Sequence, residues 1–175
     1  PRGAPTDVNA GDDGAAPVEC GLTWGAREAR ALGAALELFG GHVGSVTALT
    51  LGPPEAEEQL RYAASLGVGG VVLLPIDETD RDPQRTARAI AAAIVELEDG
   101  PESEFDLILF GNESADSGGF QVGIRVARAL SRPRITGAKG LVVADPIPAV
   151  RREGDGGQEV SELPPPAGAG WQEGV

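Results

Sequence analysis

Between Trp24 and Leu130 the apolar residues switch repeatedly between helical spacing and short continuous runs, and this alternation constrains the fold most. Ala29, Leu32, Leu36 and Phe39 recur at helical spacing, predicting a helix from Trp24 to Phe39 that Gly40-Gly41 stops. Val43 to Leu51 alternates and runs apolar, as a strand does. Pro53 and Pro54 open a second helix with Leu60, Ala63 and Ala64 facing inward and Gly67 just past its end. Val71 to Leu74 reads as a short buried strand. Asp82-Pro83 caps a third helix whose stripe is Ala87, Ile90, Ile94 and Leu97. Phe105 to Phe110 is the next strand, and after a polar loop comes a helix carrying Val122, Val126 and Leu130.

Helices and strands in strict alternation build a parallel sheet with helices on both faces. The expectation is therefore a three-layer, doubly wound, mostly parallel α/β domain. From Ala138 the pattern changes. Leu141 to Ala144, Ala149 to Arg152 and Gln158 to Glu162 read as short strands around the turn GDGG, a small antiparallel appendage. Pro1 to Gly21 reads as loop, residues 1–166 as one domain, and residues 167–175, within PPPAGAGWQEGV, as a disordered tail. The chain opens on Pro1 rather than Met, which points to a trimmed start.

A formal charge of −13 repels phosphate backbones and anionic membranes, so nucleic acid is a poor partner. No run of apolar residues is long enough for membrane insertion. Cys20 is the only cysteine, which excludes an internal disulfide and suits a reducing, cytoplasmic setting. His42 is the only histidine, so histidine-rich metal sites are excluded. Glu55, Glu57 and Glu58 fall in the first turn of a helix, where carboxylates complement the dipole. Nothing here resembles a self-sufficient catalyst.

In doubly wound sheets, ligands bind outside the carboxyl ends of the strands. Two loops sit at such ends: Leu51-Gly52-Pro53, and Gly111 to Gly119. In the second, Gly118 and Gly119 remove bulk, while Ser114, Asp116 and Ser117 offer oxygens to a ribose or to a helix cap. Free amides at the start of the next helix would stabilise a phosphate. An ordinary capped turn explains the same residues, because SADSGG matches neither a phosphate loop nor the dinucleotide fingerprint.

Three segments resemble the beta subunit of electron transfer flavoproteins. In LTLGPPEAEEQLRYAASLGVGGVVLL, the residues Gly52, Pro53, Glu58, Leu60, Arg61, Ala63 and Gly67 keep the family pattern. In FDLILFGNESADSGGFQVG, Phe105, Asp106, Leu107, Gly111, Asp116, Gln121 and Gly123 do so. RREGDGGQEV is similar to the family's late hairpin turn. The resemblance extends to the actinobacterial, mycofactocin-associated type.

The resemblance implies an adenine-nucleotide α-hydrolase-like fold whose first, central strand is missing from this chain. It implies an electron carrier, not an enzyme: a beta-type subunit in a heterodimer with an alpha subunit that holds most of a FAD. Flavin dehydrogenases would donate the electrons and a respiratory acceptor would receive them. By position, an AMP site would comprise Leu51, Gly52, Gly111, Asn112, Ser114, Asp116, Ser117, Gly118, Gly119, Phe120, Gln121, Val122 and Gly123. Phe120 and Val122 stand where the family has Asn and Thr, which removes two side-chain ligands to phosphate and counts against AMP. The rival reading is a stand-alone adenine-nucleotide-binding regulator of the universal-stress type, which shares the broad fold. A related nucleotide-dependent hydrolase or ligase is disfavoured by the absence of a phosphate loop and a base.

Overall fold

The computed structural model describes residues 31–33, 35–36, 45–76, 82–99, 104–111, 121–144, 147–154 and 156–171. Residues 31–33 and 35–36 are helical (α1), inside the segment expected to form the first helix. The N-terminal loop, Cys20 and His42 lie outside the described residues.

Strand β1 (Thr47–Gly52) leads through a 3-10 turn at Pro54–Ala56 into helix α2 (Glu57–Ser65) and then strand β2 (Gly70–Pro75). Leu60 and Ala63 of α2 are buried, whereas Ala64, expected to face inward, is exposed. Gly67 ends the helix with φ +103°, its amide donating to Ala64 O at 3.1 Å, a conformation glycine adopts without steric cost. Helix α3 (Pro83–Leu97) is capped by Asp82, whose carboxylate accepts from the Arg85 amide at 3.2 Å. It buries Ala87, Ile90 and Ile94, as their spacing predicts. Strand β3 (Leu107–Gly111) and helix α4 (Gln121–Ala129) follow.

Alternate side chains of β1 and β3 leave the strands on opposite sides. Ala48, Leu107 and Leu109 join Ala31, Leu32, Leu60 and Ala63 in one core under α1 and α2. Leu49, Ile108 and Phe110 join Ala87, Ile90, Ile94 and Val126 in the other, under α3 and α4. Helices on both faces of the strands make the expected three layers. The strands, however, form two sheets among the described residues. β1 pairs in parallel with β2, and a five-stranded sheet has the order β3-β7-β4-β5-β6.

That second sheet is mixed. β4 (Arg134–Ala144) runs parallel to β7 (Ala167–Trp171) in its first half, and antiparallel to β5 (Ile147–Gly154) in its second. β6 (Gly157–Glu162) completes the hairpin around the expected turn. The antiparallel strands are thus continuous with the parallel ones and not a separate appendage. β4 also begins well before Leu141, because Gly137, at φ +77°, interrupts its apolar pattern where the pairing changes partner.

The expected disordered tail is corrected at residues 167–171. These form β7, a central strand paired in parallel with β3 on one side and β4 on the other. Ala167 and Ala169 are fully buried and Trp171 nearly so. α4 packs on this strand: a β-carbon on Gly168 would make ordinary van der Waals contact with Ala127 Cβ at 3.5 Å and the Phe110 ring at 3.7 Å. Small residues suit that position, and their low hydrophobicity hides the strand from pattern reading. The domain boundary expected at 166 therefore does not hold. Residues 172–175 lie outside the described ones.

Candidate functional site

Two of the proposed ligand-facing segments end strands. Gly52 closes β1; it is buried, and its carbonyl accepts from the Ile76 amide at 3.2 Å. A β-carbon there would stand 3.1 Å from Ala56 Cβ, so the absence of a side chain lets the following turn pack tightly. Leu51 packs against the core under α3 and α4. Gly111 closes β3 and is half-buried. Of the loop that follows, Asn112, Ser114, Asp116, Ser117, Gly118, Gly119 and Phe120 lie outside the described residues.

The chain is described again from the first turn of α4. Gln121 is exposed, and its Oε1 accepts from Arg125 Nη2 at 2.8 Å. The Val122 side chain packs against the core under α3 and α4. Gly123 faces Phe110: a β-carbon there would lie 2.8 Å from Phe110 Cγ. Among the six described candidates, then, Gly52 and Gly123 allow close packing, Gly111 ends β3, Leu51 and Val122 serve packing, and Gln121 keeps a polar group in solvent.

A cleft adjoins this region between α4 and the sheet. It is lined by Phe110, Gly111, Gly123, Arg134, Thr136 and Gly170 among others. Sequence reasoning missed Arg134, Thr136 and Gly170. They come from β4 and β7, and no local signal marks them, since they meet α4 only once β7 is inserted between β3 and β4.

At the amino end of β3 lies a buried charged network. Arg132 is 7% exposed and pairs with Glu98 at the end of α3. It also donates to Phe105 O at 3.2 Å, while the Phe105 amide donates to Glu98 Oε1 at 3.0 Å. This network ties α3, β3 and the start of β4 together. Nearby, burial raises the Asp106 carboxyl above its ordinary value; Glu104 raises it further and Arg132 opposes the rise. It lies at the opposite end of β3 from Gly111. Among the described residues no group of three or more His, Cys, Asp or Glu could hold a metal ion. No described helix is long and apolar enough to cross a membrane.

Comparison with known proteins adds an independent line. Residues 27–173 match the electron transfer flavoprotein domain family. The electron transfer flavoprotein subunit beta of Bacillus subtilis is 38% identical over 103 residues, which cover 58% of this chain and 38% of the relative. The caffeyl-CoA reductase-Etf complex subunit CarD of Acetobacterium woodii is 32% identical over 142 residues, covering 78% and 51%. The protein FixA of Sinorhizobium fredii is 35% identical over 144 residues, covering 77% and 49%. The chain thus spans about half the length, or less, of these curated relatives.

Proposed function

The chain belongs to the electron transfer flavoprotein family, and on that premise we propose that it is the beta-type subunit of a heterodimeric electron carrier. The observation that carries this reading is the family match across residues 27–173, which takes in both strand ends and the first turn of α4. The names of the relatives, an electron transfer flavoprotein subunit and a reductase-Etf complex subunit, point the same way. The working unit pairs this chain with an alpha subunit, accepts electrons from flavin dehydrogenases, passes them to a respiratory acceptor and operates in the cytoplasm.

In such a unit the FAD is held mostly by the alpha subunit and supplies electron transfer when bound. This chain's contribution is an AMP site at Leu51, Gly52 and the Gly111–Gly123 segment. In backbone terms Gly111 ends β3 without a side chain, whereas the missing side chains of Gly52 and Gly123 make room for Ala56 and Phe110. The described residues fit it poorly in side-chain terms, since Val122 is turned into the core and offers no oxygen. Backbone amides at the start of α4 would carry the phosphate, with the helix dipole in support.

Co-expression with an alpha-type subunit encoded beside it tests the reading. A stable complex carrying flavin absorbance is the expected result; two separate chains without flavin would overturn it. Equilibrium dialysis of AMP against that complex tests the nucleotide site separately.

The described strands break between β1 and β3 while their side chains share both cores. We read that break as the place of a further central strand. Adding an apolar strand ahead of the chain should raise its urea midpoint, and coincident melts would overturn the assignment.

A further inference from the structure

We propose that the outward face of the β4-β5-β6 hairpins is the surface on which the companion subunit docks, with Arg151 meeting a carboxylate on that partner. The inference rests on the subunit reading above.

The strand register defines the face. Val142 pairs with Ala149, and Arg151 lies between Gly140 and Val160. Ala149 and Arg151 are two residues apart on one strand, so all five side-chain positions share one side of the sheet. The other side carries Leu141 and Val150, which belong to the core. On the outward side, Val142 is 51% and Val160 65% exposed. The main helix packing is on β1, β2 and β7. Val142 on β4 and Val160 on β6 flank Ala149 and Arg151 of the intervening β5, and together they expose apolar surface on this side.

The cation at its centre selects the partner's chemistry. Lys139 pairs with Glu153 at 2.5 Å and Arg152 with Glu159 at 2.7 Å. Arg151, in the same groove, makes no ion pair among the described residues. Its guanidinium lies across Gly140, with Nη2 2.8 Å from where a β-carbon would stand. Any side chain at 140 would lift it off the sheet. A planar guanidinium held flat over Gly140, beside Val160, matches a carboxylate through paired hydrogen bonds. Apolar residues around an arginine are the composition of a protein interface centre. The relatives named as subunits make that partner a companion chain rather than a small anion.

The test is association of the co-expressed pair, read by size-exclusion chromatography and a titrated pull-down. Val160→Asp and Arg151→Glu should each weaken association by on the order of tenfold or more. Arg151→Lys, which keeps the charge but loses the fork, should fall between. Leu66→Ser, at the exposed C-cap of α2, should leave association unchanged. Circular dichroism and urea melts of each isolated variant confirm that the fold survives, since all these side chains are exposed. A wild-type pair that associates while the hairpin variants associate equally well overturns the docking face. So does an isolated chain that forms a Val160-dependent homodimer. No association of the wild-type pair overturns the subunit reading instead.

Discussion

Gly123 and Phe110 pack backbone against ring: a β-carbon on Gly123 would come within 2.8 Å of Phe110 Cγ and 3.0 Å of its Cβ. Phe110 is buried at the end of β3, so its ring cannot swing into solvent. This contact sets how closely the first turn of α4 approaches the strand that precedes the candidate ligand loop.

Gly123→Ala should therefore destabilise the chain by about 1–3 kcal/mol through overpacking. In an exposed helix interior the same change would instead gain up to about 1 kcal/mol. The two effects oppose, and urea melts decide between them. Phe110→Leu, combined with Gly123→Ala, should recover part of the loss. A more stable Gly123→Ala chain would show that the contact does not limit α4.

Arg132→Met should cost about 3 kcal/mol, because it leaves the Glu98 carboxylate, only 15% exposed, without its cation. Replacing both residues by methionine should cost less than Arg132→Met alone. Chemical denaturation of the two single variants and the double variant measures the coupling. Strictly additive losses would contradict a buried pair.

The raised Asp106 carboxyl has a defined sign. Its folded form holds a proton more tightly than its unfolded form, so its contribution to stability is full in acid. That contribution is lost as pH rises past the ordinary aspartate value and through the raised one. Asp106→Asn should be at least as stable as the parent at pH near 7, with the gap closing toward pH about 4. Urea midpoints across that range check it, and a gap that widens in acid would refute the assignment.

Trp171 ends β7 and is 6% exposed. Trp171→Ala should cost about 3–5 kcal/mol. Termination after Pro166 should abolish cooperative unfolding, since β3 and β4 would lose the strand between them. A truncated chain with an unchanged melting transition would remove β7 from the sheet.

Much of the helical layer is legible in the sequence, because its signals are local. Asp82 beside Pro83 caps α3, Gly67 closes α2, and the stripe through Ile90 and Ile94 names the buried face. Ala64 departs from its spacing because α2 turns a narrow face inward, and only Leu60 and Ala63 reach the core. The candidate site is half legible. Gly111 and Gln121 announce a strand end and a helix start, whereas Arg134 and Thr136 join the cleft from a distant strand.

By itself, the sequence determined the period of each element, its caps, the acidic surface and the family pattern, all set by neighbours along the chain. Only the tertiary structure decided that Ala167–Trp171 is a central strand, that β4 changes partner at Gly137, and that Val122 turns inward. The physical reason is common to all three. A small-residue strand gains its identity from ladders on both sides and from the helix packed on it. Those contacts join residues far apart in the chain, and no local hydrophobic pattern encodes them.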